Sequence, residues 1–247
     1  MHLRKYHGLG NDFLVLVDPD GKQPVDGATA RAMCDRHRGA GADGLIWVTA
    51  EPLTMELYNA DGGRAETSGN GLRCLARAVL DAGLEDGPEL TVLTDAGPRR
   101  VTLHDDGQVS VEMGRARVDG DSGVVDMGNP HVVVFVADLT EVDGGRDGVN
   151  VEYVVAGPGP EELSMRVFER GVGETQACGT GACAVVAAAH KRGLVGRRVT
   201  VHQPGGDVTV DLGDLGADPI VLTGPAEYVC DVEWPTGVPA GEAHAWR

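Results

Sequence analysis

The chain contains itself twice, and this constrains its fold more than any single motif. When Ser68-Gly69-Asn70-Gly71 is laid over Cys178-Gly179-Thr180-Gly181, the offset is 110 residues (68 to 178). With no gap, Met55 then falls on Met165, Leu57 on Val167, Tyr58 on Phe168 and Asn59 on Glu169; downstream, Gly83-Leu84 falls on Gly193-Leu194. A third match, Gly10-Asn11-Asp12-Phe13 against Gly128-Asn129-Pro130-His131, comes earlier at a slightly different offset. Agreement at one motif could arise by chance, but ordered agreement at three predicts a duplicated unit. Each copy reads as a Gly-Asn strand start, an apolar strand, a small-residue turn, a helix and further strands.

Local patterns support two similar lobes. Residues 13–17 and 132–136 are continuous apolar runs of the kind that form buried strands. Met55-Glu56-Leu57-Tyr58 and Met165-Arg166-Val167-Phe168 alternate with period two, as half-buried strands do. Residues 70–82 and 180–192 are rich in Ala, Leu, Val and Arg and stop at Gly83 and Gly193, the usual residue type just past a helix. The second helix is apolar nearly all round and is expected to be wrapped by sheet. Thr/Val strands are expected in 90–113 and 199–223, separated by Asp-Gly and Pro-Gly-Gly turns. The lobes are expected to meet near residues 114–122.

Charge and cysteine usage narrow the function class. With 38 acidic against 21 basic residues, the formal net charge is −17, which repels phosphate backbones and anionic lipid. Neither nucleic acid nor membrane is an expected partner, and no apolar run approaches the roughly 20 residues of a membrane-spanning helix. The charged start, Met1-His2-Leu3-Arg4-Lys5-Tyr6, leads into an apparent strand and does not read as a signal peptide. Five cysteines at 34, 74, 178, 183 and 230 form no CxxC pair. That pattern suits free thiols in the cytoplasm and argues against a metal site.

In both halves a small nucleophilic residue precedes Gly-x-Gly at a helix opening. The first amides of a helix lack internal partners and carry partial positive charge, and glycine lets a ligand approach the backbone closely. Such a turn can cradle a carboxylate. A thiol there is expected to have its anion stabilised and its pKa lowered. Two facing turns would hold one carboxylate from both sides, with side chains 68 and 178 flanking the adjacent carbon. Taken alone, Ser68 is equally an N-cap and Cys178 equally a packed thiol.

The segments Gly8-Leu9-Gly10-Asn11-Asp12-Phe13, Tyr58-Asn59-Ala60-Asp61-Gly62, Gly69-Asn70-Gly71-Leu72-Arg73-Cys74, Gly128-Asn129-Pro130-His131 and 169–181 (Glu-Arg-Gly-Val-Gly-Glu-Thr-Gln-Ala-Cys-Gly-Thr-Gly) together resemble the signature segments of the diaminopimelate epimerase family, in the family's order along nearly the whole chain. The resemblance implies an α/β (α+β) fold of two pseudo-symmetric lobes, each a curved, mainly antiparallel sheet around a central helix. The implied domains are 1–115, completed by 231–247, and 116–230. It implies an amino-acid epimerase that interconverts LL- and meso-diaminopimelate, with Cys178 and position 68 as the two acid/base groups. Glu169 and His131 match their activating partners. The amides around Gly69-Asn70 and Gly179-Thr180 match the α-carboxylate cradle. Asn11, Asn59, Asn129, Asn150, Glu169 and Arg170 match the ligands of the distal amino and carboxylate groups. A homodimer is also implied.

No cofactor is expected. A pyridoxal phosphate enzyme needs a Schiff-base lysine, and the only lysines (5, 22 and 191) lie outside every motif. The family pattern has Cys at both catalytic positions, and Ser68 departs from it. An unassisted hydroxyl does not ionise near neutral pH, so Ser68 would donate a proton, or remove one with help from His131 or another base. Four readings follow: a Ser/Cys epimerase, an impaired homologue, a one-base isomerase or dehydratase of the related racemase group, and a silent amino-acid binder. Gly44 stands where some family members carry a substrate-side Gln. Cys74 and Cys183 are expected core thiols, Cys34 and Cys230 carry no signal, and His104, His190, His202 and His244 lie outside the motifs.

Overall fold

The computed structural model describes residues 1–120, 122–142, 144–146 and 148–235. In the first half β1 (His2–Gly8), β2 (Asn11–Val17), α1 (Gly27–Cys34), β3 (Gly44–Thr49), β4 (Thr54–Asn59) and β5 (Arg64–Ala65) precede α2 (Gly69–Asp81). After it come β6 (Glu89–Thr94), β7 (Gly97–Leu103), β8 (Gln108–Glu112) and β9 (Arg117–Asp119). The second half runs β10 (Val124–Asp126), β11 (Pro130–Phe135), β12 (Asn150–Ala156), β13 (Glu162–Glu169), β14 (Gly173–Thr175) and α3 (Gly179–Lys191). Then follow β15 (Arg198–Gln203), β16 (Gly206–Asp211), β17 (Val221–Pro225) and β18 (Glu227–Glu233).

The pairing repeats as the sequence does. β2 runs parallel to β3, as β11 does to β12, and β3 runs antiparallel to β4, as β12 does to β13. β4 and β6 are parallel neighbours joined through α2, just as β13 and β15 are joined through α3. β6–β7–β8 and β15–β16–β17 are both antiparallel meanders. The molecule is thus two pseudo-symmetric lobes, each a curved, mainly antiparallel sheet around one helix.

β9 pairs with β10 at the join between the halves, and β18 leaves the second half to pair with β1, His2 opposite Glu233. Between them β8 pairs antiparallel with β17, so all eighteen described strands form one hydrogen-bonded sheet. Of the expected return segment 231–247, residues 236–247, which include His244, lie outside the described residues.

Both central helices start and stop alike. Ser68 Oγ accepts from the Gly71 amide at 3.1 Å, and Cys178 Sγ accepts from the Gly181 amide at 3.4 Å. At the far ends Gly83 and Gly193 turn left-handed, and the amides of Leu84 and Leu194 return to Val79 and Ala189. From Ala182 to Ala189 every α3 residue is buried, because Ala and Val fill a barrel-like sheet too tight for longer side chains. Cys74 and Cys183 are core thiols, as expected. Cys34 is buried on α1, a helix that carries no strong sequence periodicity, and Cys230 is exposed. No helix among the described residues is long and apolar enough to cross a membrane.

Candidate active site

The two helix openings abut. A Cβ built on Gly179 would lie 3.6 Å from the Gly69 Cα, and Met113 and Leu222 close on both glycines. Ser68 and Cys178 are therefore the residues immediately before two touching helix starts, the first half-buried and the second 7% exposed. The side chain of Asn70 joins the halves. Its Nδ2 donates to Asn11 Oδ1 (3.1 Å) and to the Ala177 carbonyl (3.4 Å), while its Oδ1 accepts from Arg73 (2.9 Å).

Arg73, absent from the sequence-based candidates, is fully buried, and among the described residues it has no carboxylate partner and its Nη1 makes no hydrogen bond. It donates to the Pro225 carbonyl at 3.0 Å, and burial pulls the guanidinium down to about 10. A family signature containing Gly-Asn-Gly-Leu-Arg was the only signal that could have found it.

Around Cys178 the second lobe gathers charge. The Cys178 amide donates to Gln203 Oε1 at 2.8 Å, and its thiol lies 3.5 Å from the Thr180 hydroxyl. Burial pushes the thiol well above its ordinary range, and the Glu169 and Glu152 carboxylates push it further. The Thr180 hydroxyl and Gly181 amide oppose them without prevailing. The expected lowering by the helix start is thus reversed, because desolvation and two carboxylates outweigh a single amide. The direction of the shift favours the thiol over the thiolate at Cys178. Glu169 is itself raised by burial, against a 2.6 Å hydrogen bond from Thr175, with Glu152 adding to the rise.

His131 and Glu152 are both fully buried, with Nδ1 and Oε1 2.6 Å apart; the other imidazole nitrogen lies 3.1 Å from Asn129 Oδ1. Both nitrogens are thus engaged within the second lobe. Among the described residues no hydrogen bond joins Ser68 to His131.

The expected distal ligands fall into separate groups. Asn129, Asn150 and the exposed Arg170 line one small cavity, and Asn150 Oδ1 accepts from the Arg170 amide at 2.9 Å. Asn11 sits between Asn70 and Asp43, donating to Asp43 at 2.9 Å. Asn59 ends β4, exposed, opposite Gly44. A Cβ on Gly44 would stand 2.8 Å from the Tyr58 carbonyl, so the backbone closes over the position where a longer side chain was considered. Asp43 belongs to a cluster in which Lys5 and Arg36 clasp Asp12 at 2.8 and 2.7 Å, and Arg36 also reaches Asp43 at 2.7 Å. Of the other histidines, His104 is exposed, and half-buried His202 pairs with Glu162 and Asp207. Among the described residues, no three His, Cys, Asp or Glu side chains are arranged to hold a metal ion.

The family model described as diaminopimelate epimerase matches residues 3–118 and 123–229. Proteins named diaminopimelate epimerase from Desulforudis audaxviator and Azoarcus sp. are 40% and 41% identical to the chain. They cover 95% and 94% of it, and the alignments span 99% of each relative. A PhzF-family phenazine biosynthesis protein of Bacillus anthracis shares the fold, with a TM-score of 0.73 at 15% identity over 95% of this chain and 99% of that one. A duplicated lobe, two abutting helix starts and a match spanning both halves agree, and the chain belongs to the diaminopimelate epimerase family.

Proposed function

We propose that the protein interconverts LL- and meso-diaminopimelate, in lysine biosynthesis, by inverting one α-carbon between Ser68 and Cys178. The contact between Gly69 and Gly179 carries this reading, since each glycine directly follows one of the two residues and the contact supports their facing a shared atom. The amides at Gly69-Asn70 and Gly179-Thr180 hold the α-carboxylate and stabilise charge developing beside it. One face removes the α-proton while the other supplies a proton. Cys178, a thiol at rest, donates; when it must accept, its proton first passes to Glu169, whose raised carboxyl is suited to hold it. His131 assists on the Cys178 side. The distal ammonium and carboxylate bind Asn11, Asn59, Asn129, Asn150, Glu169 and Arg170, which together supply a cation and several oxygens.

No cofactor is needed in this scheme. The protein works in the cytoplasm as a homodimer, and the half-exposed Tyr228 and Val229 of β18 suit a contact between copies. The domains are 1–115 with 231–247 returning, and 116–230. The test is incubation with LL- and meso-diaminopimelate in D₂O, following the α-protons by NMR. Exchange with inversion is expected. Exchange with retention favours a second reading, a one-face enzyme, motivated by the hydroxyl at position 68 where the family pattern has a thiol. Binding without exchange would leave only a ligand-binding homologue.

A further inference from the structure

The two lobes place different residues behind equivalent helix starts. In the second lobe His131 is opposite Asn150 and Val133 is opposite Glu152; in the first, Phe13 is opposite Gly44 and Val15 is opposite Ile46. A Cβ on Gly181 would meet Glu152 Oε1 at 2.8 Å, and one on Gly71 would meet Ile46 Cδ1 at 3.3 Å. Glu152 therefore occupies beneath Cys178 the position that Ile46 occupies beneath Ser68. Likewise His131 is the counterpart of Phe13.

Nothing in the packing requires a charge at 152. Its Oε1 is spent on His131 and its Oε2, fully buried, has no hydrogen-bond partner among the described residues. A buried ion pair is weak evidence for stability, and a buried acid beside an imidazole near a cleft is a common mark of function. A carboxylate at 152 and the Asn129 amide oxygen both only accept, so the two contacts are made together with a proton on each ring nitrogen, Nδ1–H donating to Glu152 Oε1 and Nε2–H to Asn129 Oδ1. Asn129 in turn shares the cavity of Asn150 and Arg170. Glu152 thus reaches the site through two other residues and touches no expected substrate atom.

We infer that Glu152 is the positioning residue of the Cys178 face: it holds a proton on His131 Nδ1, sets the plane of that ring and, through it, the amide of Asn129. This inference rests on the epimerase reading and deepens it. Glu152→Gln preserves the shape and removes the charge that holds the Nδ1 proton. Its kcat/KM is expected to fall at least tenfold, mainly in kcat, and equally in both directions because the overall equilibrium cannot change. The carboxylate also repels the Cys178 thiolate, so relief of that repulsion predicts the opposite sign. An unchanged or increased kcat/KM in Glu152→Gln overturns the inference.

A measurement on the unaltered protein covers the case in which the variant fails to fold. With ¹⁵N-labelled histidine, the His131 signal, assigned by its loss in His131→Gln, should show a protonated Nδ1 without substrate. An unprotonated Nδ1 overturns the inference whatever the variants do. If the unaltered protein does not exchange α-protons of diaminopimelate, the epimerase reading fails instead, and the Nδ1 result identifies which of the two is wrong.

Discussion

The first and second lobes share a fold, a strand register and a helix cap, yet they put their charge in different places. Beneath Ser68 lies Ile46, with Phe13 at the register position of His131; beneath Cys178 lies Glu152, bonded to His131, with Glu169 nearby. The first lobe's charged cluster of Lys5, Asp12, Arg36 and Asp43 sits instead beside Asn11, in the stretch where the second lobe has Pro130. Duplication preserved the scaffold, and the halves then divided the work. One half carries buried ionisable groups behind its helix start, and the other an apolar floor and a hydroxyl. A site built on two copies need not be chemically symmetric to serve two faces of one carbon.

The largest effect that tests this division is expected from Cys178→Ala, a loss of about 10³-fold in α-proton exchange and in epimerisation together. Ser68→Ala should abolish inversion while leaving measurable exchange at the Cys178 face. Equal loss of exchange in the two variants would break the comparison. Next comes stability. Converting the second lobe's pair to the first's, Glu152→Ile with His131→Phe, is expected to stabilise the fold by about 1–4 kcal/mol in denaturant unfolding while activity is lost. A destabilised double variant would show that the charged pair is structural.

The peripheral cluster has its own signature. Burial acts to raise the Asp12 carboxyl, but hydrogen bonds from Arg36 and Lys5 win and hold it at about 2, against 3.8 for a free carboxyl. A depressed folded-state pKa contributes stability above the unfolded value and loses it as pH falls toward the folded one. The stability gap between the unaltered protein and Asp12→Asn is therefore expected to shrink by about 2 kcal/mol on acidification from pH ~5 to ~2. The smallest effect concerns Ser68→Cys, where a thiol replaces a weaker acid: about a tenfold rise in kcat, with a 68–178 disulfide trapped under oxidation. Failure to crosslink would mean that the two side chains do not face each other.

Much of the architecture was legible because the repeat carried it. The ordered matches at Asn11, Ser68 and Gly83 with their partners foretold two lobes, and Gly83 and Gly193 marked both helix ends within a residue. Short strands such as β5 and β14 were not legible, since two or three residues cannot show a period and form only where a neighbour offers an edge. Glu152 went unseen for a related reason. Loop lengths differ between the halves, so the offset that aligns Ser68 with Cys178 does not align Ile46 with Glu152. The available signal was a lone acid inside Val-Glu-Tyr-Val-Val, two residues past Asn150. The direction of the Cys178 shift was equally hidden: local sequence announces the helix start, whereas carboxylates arriving from β12 and β13 depend on the finished fold.

The pairing of β1 with β18 has a consequence for biosynthesis. Strand β1 ends at Gly8, and the strand that flanks it, β18, begins only at Glu227. On the ribosome, the hairpin of β1 and β2 presents an unsatisfied edge, open to wrong partners, until β18 has been made and released. A nascent chain of this design cannot assemble its cleft early, and premature stop products would carry a bare strand into the cell.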